Sequence, residues 1–249
     1  MNDVHLPEEF HDFKRKAWIP IVAGRDGNCL DSKYSGVPWL ARDERWPVCA
    51  NCTKAMQLFL QLNLSRLPAV PRGCPDKGLV QLFYCTSSQP FCVNECEAWT
   101  SQSEARSSVA LPRSVLVRLI DVHDENRFLG DSPVKDAFPP KLIVDWKEAD
   151  DYPGGDELEE ECGITSTVER IADAYAQGFP LQGDKLMGWP AWVQLPCYPT
   201  CPECGTQMRL LYQIDSDYNI PYSFGDGGCG YITQCPKHPN NLCFDWQCS

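Results

Sequence analysis

The sequence predicts a mainly β protein with minor helix, built as two lobes related by a pseudo-two-fold axis, each with its own Cys-x-x-Cys knuckle. Three observations carry this expectation. Residues 33–64 and 185–216 align without a gap at an offset of 152, through the identical pairs Lys33/Lys185, Gly36/Gly188, Pro38/Pro190, Pro47/Pro199, Cys49/Cys201, Cys52/Cys204, Met56/Met208, Leu58/Leu210 and Gln61/Gln213. Agreement at one constant offset marks an internal repeat, and the text that repeats is the text that builds the fold. Each knuckle is followed by short apolar runs bounded by turn residues, the pattern of strands. Each is also answered downstream by more potential ligands: Cys85, Cys92 and Cys96 after the first, and Cys235, His238, Cys243 and Cys248 after the second.

Taken in order, residues 1–32 form an N-terminal segment in which Phe10, Phe13 and Trp18 fall near helical spacing, so an amphipathic helix is expected over 6–18. The first lobe, 33–144, has strand candidates at 57–64, 78–85, 114–120 and 141–146, punctuated by Pro68, Pro71, Gly73 and Pro75. The stretch SQSEARSSV reads as a polar surface loop. Residues 145–184 read as an acidic linker followed by a helix, capped by Thr165 or Ser166 and stopped after Gln177 by Gly178 and Pro180. The second lobe, 185–249, adds strands near 209–215, 228–234 and 241–247. One copy of the repeat is too short to bury a sufficient core, so the lobes are expected to pack into one unit.

Two thiols two residues apart can share one metal ion because a tight turn points both inward, and ligands from a neighbouring strand end complete the tetrahedron. Two structural zinc ions, one per lobe, are the expected cofactors. Four protein ligands leave no open coordination position, so the metal would support the fold and not catalyse. A thioredoxin-like redox pair would open a helix in a βαβ setting, whereas these knuckles follow Pro-rich turns and precede strands. Disulfides fit poorly with 15 cysteines, an odd count, and with an opening MNDVHLPEEFHDFKRK that has no apolar leader, so a reducing, cytoplasmic compartment is expected. Cys29, Cys74, Cys162, Cys197 and Cys229 are expected to be small buried apolar residues.

The formal charge is −12, which repels phosphate backbones and points away from nucleic acid toward a basic protein partner. No apolar run approaches the length of a membrane span, and a monomer is expected. Charge concentrates between Asp145 and Gly163, where nine acidic residues accompany a single lysine. Such a block reads as a solvated loop between the lobes or as a docking site for a basic partner.

The phrases SKYSGVPWL, WPVCANCTKAMQLFLQLNL, GLVQLFYC, CEAW, LVRLID, LYQIDSDYNIPYSFGDGGCGYITQCPKHP and FDWQC resemble the YwqG-like family over about Lys33 to Cys248. That resemblance implies a duplicated, mainly β architecture. It also implies kinship with the programmed-cell-death-two proteins and their yeast relative in ribosome biogenesis, which act as dedicated chaperones for a small-subunit ribosomal protein. The inserted zinc-finger module of the animal proteins is lacking here. The same resemblance favours Cys49, Cys52, Cys85 and Cys92 as one ligand set and Cys201, Cys204, Cys235 and His238 as the other. The lobe symmetry leaves Cys96, Cys243 and Cys248 as rivals.

No nucleophile motif, zinc-protease helix or phosphate loop is found. Of the four histidines, His5 and His11 lie near the start of the chain and His123 in a polar run. Asp215, Asp217 and Asp226 among glycines suggest a hard-cation or enzymatic site, but the spacing fails the EF-hand pattern, and a tight β-connection with Asx turns accounts for it. The leading expectation is therefore a zinc-stabilised, chaperone-like binding module for a basic client such as a ribosomal protein. The alternatives are an immunity or conflict-system protein that neutralises a toxin by binding it, and an enzyme using those aspartates.

Overall fold

The computed structural model describes residues 6, 8–86, 114–122, 132–163 and 175–249. Its strands are β1 (Arg15–Ala23), β2 (Lys33–Tyr34), β3 (Gln57–Asn63), β4 (Leu79–Tyr84), β5 (Val115–Ile120), β6 (Lys141–Asp151), β7 (Lys185–Met187), β8 (Arg209–Asp215), β9 (Cys229–Gln234) and β10 (Leu242–Gln247), with a short helix α1 (Gly155–Glu160). They form one antiparallel sheet in the order β10-β9-β8-β7-β1-β6-β2-β3-β4-β5. The two edge strands, β5 and β10, come back into contact, so the sheet is nearly closed. The mainly β class follows from the sequence as expected.

The order is a palindrome about the central β1–β6 pair. β2 to β5 run outward on one side and β7 to β10 on the other. Each half's first strand lies beside the other half's second strand: β1 pairs with β7, and β6 with β2. The two halves thus exchange their opening strands across the centre.

Register repeats at the offset of 152. Lys33 faces Gln61 as Lys185 faces Gln213. A bulge falls between Leu58 and Leu60, and another between Leu210 and Tyr212. An extra residue in one strand bends it and sharpens its twist, which helps the sheet curl. The bulge also lets Phe59 and Leu60, like Leu211 and Tyr212, both enter the interior core.

Both faces of the sheet are covered over β3 and β4, which is why these strands are buried at every position and rich in apolar residues, with Gln57, Gln61, Asn63 and Gln81 among them. Rings fill the concave side: Phe59 lies 5.0 Å from Tyr84 and 5.1 Å from Tyr222, and Tyr84 lies 5.8 Å from Phe244, tilted or edge-on as ring quadrupoles prefer. Tyr34 and Tyr212 join hydroxyls across this interior, and Asn219 donates to Asp184 beside them at 2.8 Å. On the convex side Leu58 and Phe83 pack under a flap carrying Leu40, Trp46 and the first knuckle.

Two lysines that the alignment marks as identical are fully buried. Lys33 Nζ donates to Asp26 Oδ1 and to Val37 O, both at 2.7 Å. Lys185 Nζ donates to Asp151 Oδ2 at 2.9 Å and to Leu181 O at 2.5 Å. Each aspartate also accepts the backbone N–H four residues beyond its lysine, Val37 at 2.9 Å and Trp189 at 2.9 Å. The paired glycines follow from this clamp. Gly36 and Gly188 have φ of 78° and 81°, and a Cβ there would lie 2.5 Å from the Asp26 carboxylate or 2.4 Å from that of Asp151. The paired glutamines serve the same turn: Gln61 Oε1 accepts from Trp39 N–H at 3.0 Å and Gln213 Oε1 from Ala191 N–H at 2.8 Å.

Two expectations are corrected. The helix over 6–18 is a 3-10 turn at Glu8–Phe13 followed by β1, because Arg15 to Ala23 pair with Asp151 to Leu142 of β6, a contact distant in sequence. The acidic block is not a solvated linker. Its first part extends β6 to Asp151, where Lys16 pairs with Glu148 at 2.7 Å and Asp150 at 2.8 Å. Its second part is α1, whose Glu157 is buried and accepts hydrogen bonds from Trp192 Nε1 at 2.6 Å and Tyr198 Oη at 2.5 Å. Leu158 packs with Leu6, Phe10, Tyr152 and Phe179. The loop SQSEARSSV lies outside the described residues, as does all but the last turn of the helix expected up to Gln177.

Removing one partner of a buried pair strands the other charge, so Asp151→Ala should destabilise the fold by about 3–5 kcal/mol in urea denaturation. Asp26 is 32% exposed, so Asp26→Ala should cost less; equal losses would show that burial is not what makes the pair matter. Burial pushes the Glu157 carboxyl from 4.5 up to about 7 against the hydrogen bonds of Tyr198 and Trp192. The folded chain therefore keeps a proton that the unfolded chain has lost, and stability from this site falls as pH rises from about 4.5 to 7. Glu157→Gln should remove that dependence, and its melting temperature relative to the parent should rise between pH 5 and pH 8.

Candidate metal centres

Each knuckle is a tight turn with the same hydrogen bonds in both halves. Cys49 N–H donates to Lys54 O at 2.9 Å, Thr53 N–H to Cys49 O at 2.8 Å, and Met56 N–H to Pro47 O at 2.9 Å. In the second half Cys201 N–H donates to Thr206 O at 2.9 Å, Gly205 N–H to Cys201 O at 2.8 Å, and Met208 N–H to Pro199 O at 2.8 Å. Thr53 and Gly205 hold the left-handed conformation that lets the chain reverse, with φ of 60° and 63°. This turn gathers both thiols on one side. The strand that follows, β3 or β8, pairs with β4 or β9, whose end delivers the next thiol, Cys85 or Cys235.

In the second half the Sγ atoms of Cys201, Cys204 and Cys235 and a ring nitrogen of His238 all lie within 4.8 Å of one another. Cys204 and Cys235 are 3.7 Å apart, Cys201 Sγ is 3.5 Å from His238 Nδ1, and Cys235 Sγ is 3.9 Å from it. A tetrahedral ion with metal–sulfur bonds of about 2.3 Å and metal–nitrogen bonds of about 2.0 Å requires ligand separations of roughly 3.5–3.8 Å. The residues fit such an ion. In the first half Cys49, Cys52 and Cys85 form the matching group within 4.8 Å, with Cys52 and Cys85 3.6 Å apart. Cys92, expected as the fourth ligand, and its rival Cys96 lie outside the described residues.

The second centre is prepared for thiolates. Cys235 Sγ accepts from Lys237 N–H at 3.4 Å and His238 N–H at 3.3 Å. Burial pushes the Cys201 thiol up, but the Asn241 amide, the N–H groups of Cys204 and Glu203, and His238 together bring it down to about 6. Hydrogen bonds to Thr206 lower Cys204 as well, whereas burial raises Cys235. Two polar residues here escape a search for ligands. Asn241 Nδ2 lies 3.1 Å from Cys201 Sγ and 2.9 Å from Glu203 Oε1, and Glu203 Oε2 lies 3.6 Å from His238 Nε2. The acidic residue inside the Cys-Pro-Glu-Cys knuckle was the available signal.

The rival ligands of the second lobe sit elsewhere. Cys243 lies on β10 against the cluster, its thiol pushed up to about 12 by burial, and Cys248 lies beside Gly225. Of the cysteines expected to be plainly buried, Cys229 is, while Cys29, Cys74, Cys162 and Cys197 are half-buried. Asp215, Asp217 and Asp226 are not among the groups of described residues whose ligand atoms lie close enough to share an ion. Asp215 accepts backbone N–H bonds from Gly183 at 3.0 Å and Ser216 at 2.9 Å, and Asp217 occupies a left-handed turn with φ of 54°. No helix among the described residues is long and apolar enough to cross a membrane.

A family model described as "Domain of unknown function (DUF1963)" matches residues 32–248, from the start of β2 to the end of β10. The match spans both knuckles and leaves out β1. No curated protein matches the chain.

Metal analysis of protein prepared without chelator should give about two ions per chain, and Cys49→Ser and Cys201→Ser should each lose about one, with loss of cooperative melting. A folded, metal-free protein with these thiols intact would overturn the assignment.

Proposed function

The chain belongs to the DUF1963 family, and we propose that it acts as a zinc-stabilised, chaperone-like module that holds a basic protein client in a reducing, cytoplasmic setting. Zinc is the ion of choice for three thiolates and an imidazole in a tetrahedron, and with every position filled by protein it supports structure instead of activating water. Kinship with the YwqG-like and programmed-cell-death-two proteins, and a ribosomal protein as client, belong to the same reading.

One observation carries the binding role. The four outward carboxylates of the acidic block, Asp156, Glu159, Glu160 and Glu161, are exposed on and just beyond α1, while Glu157 and Leu158 on the same short helix are buried and anchored. The charges are therefore held by a rigid element and not by a mobile linker. A preorganised acidic surface loses less conformational freedom on binding, and its field steers a basic partner onto it. A net charge of −12 extends that field over the molecule.

Replacing Asp156, Glu159 and Glu160 by Asn, Gln and Gln should leave stability within about 0.5 kcal/mol. Association with a basic client recovered by co-purification should slow, and its salt dependence should flatten. Unchanged association would remove the acidic surface from the binding role. Turnover of a small molecule without any stable protein partner would replace the reading with an enzymatic one.

A further inference from the structure

We propose that Glu203 is a positioning residue for the second metal centre, holding His238 so that Nδ1 faces the metal; this rests on the zinc reading above. The residue lies between the two knuckle cysteines, so the turn that gathers their thiols also carries its carboxylate to the rim of the site. Oε2 lies 3.6 Å from Nε2 of His238, while Nδ1 of the same ring lies 3.5 Å from Cys201 Sγ. Oε1 is held at 2.9 Å by Asn241 Nδ2, the same atom that lies 3.1 Å from Cys201 Sγ. Asn241 is fixed in turn by the ligand loop itself, since its N–H donates to His238 O at 2.9 Å and its carbonyl accepts from Cys235 N–H at 3.1 Å.

An imidazole binds a metal through one nitrogen, and what the other nitrogen faces helps to set the ring's orientation. At 3.6 Å the Glu203 carboxylate makes an ion contact with Nε2 longer than a hydrogen bond, which favours the orientation that turns Nε2 outward and Nδ1 toward the thiols. At the offset of 152 Glu203 corresponds to Asn51, which has no carboxylate. The two centres share their knuckle geometry but not this charge, so Glu203 should affect one ion and leave the other alone.

The test uses the full-length zinc-loaded protein, with chelator competition to resolve the two equivalents and ring-nitrogen NMR of the histidines, of which the chain has four. Glu203→Ala should weaken one equivalent by about 10-fold or more and leave the other unchanged, as outer-shell partners typically do. It should also move the His238 ring signals away from the pattern of Nδ1 ligation. Glu203→Gln, which keeps the side chain's shape and its bond from Asn241 but not its charge, should recover part of both. Affinity within about twofold of the parent with unmoved ring signals, or equal weakening of both equivalents, would overturn the assignment. A parent protein that binds no zinc at all would instead sink the metal reading beneath it.

Discussion

The structure depends on how two buried ammonium groups are satisfied. Lys33 and Lys185 are each 0% exposed, and an unpaired charge in that setting costs several kcal/mol. An ammonium has three donors and no acceptor, so the chain has to bring a carboxylate and carbonyl oxygens to it from separate segments. Asp26 and Asp151 do so from just beyond β1 and from the end of β6. Because the same carboxylates accept the N–H of Val37 and Trp189, they also fix where each knuckle-bearing flap leaves the sheet. Core, central strands and flap are tied at one point in each half.

From that point the flap returns over the convex face and ends at the knuckle, where its thiols meet the one at the end of the neighbouring strand. Without the flap, Leu58, Phe83 and Leu210 would face water; with it, the strands that carry them are covered on both sides, and one sheet serves two cores. A knuckle has few apolar atoms of its own to hold it down. An ion held by thiols from both the flap and the end of the neighbouring strand would supply that restraint, and only to the folded chain. The thiol cluster and the buried lysine thus stand at the two ends of the same flap.

The central exchange of strands gives the two halves a common fate. β1 is paired with β7 and β6 with β2, so the opening strand that leads to each half's clamp aspartate, Asp26 or Asp151, is held in place by a strand of the other half. Inside the barrel the joined hydroxyls of Tyr34 and Tyr212 link β2 with β8, beside Asp184, whose carboxyl burial pushes up to about 6. A polar group at that depth is tolerated because Asn219 and the N–H of Asp215 satisfy it. The cost of breaking either half falls on both.

The sequence by itself determined the local machinery of each half: the nine identical pairs, the bounds of β3, β4, β5, β8, β9 and β10 to within a residue or two, and the thiols that converge at the knuckles. These are legible because they depend on short-range geometry, a turn, a bulge and a strand, that must be written in contiguous residues. Only the tertiary structure decided the rest. Asp26 and Asp151 play one role but stand 125 positions apart instead of 152, so no constant offset pairs them. Residues 15–23 took the form of a strand, and the acidic run from Asp145 was divided between strand and anchored helix, because each found its partner more than a hundred residues away or in another element. Local periodicity carries no record of a partner that the chain meets only when the sheet closes.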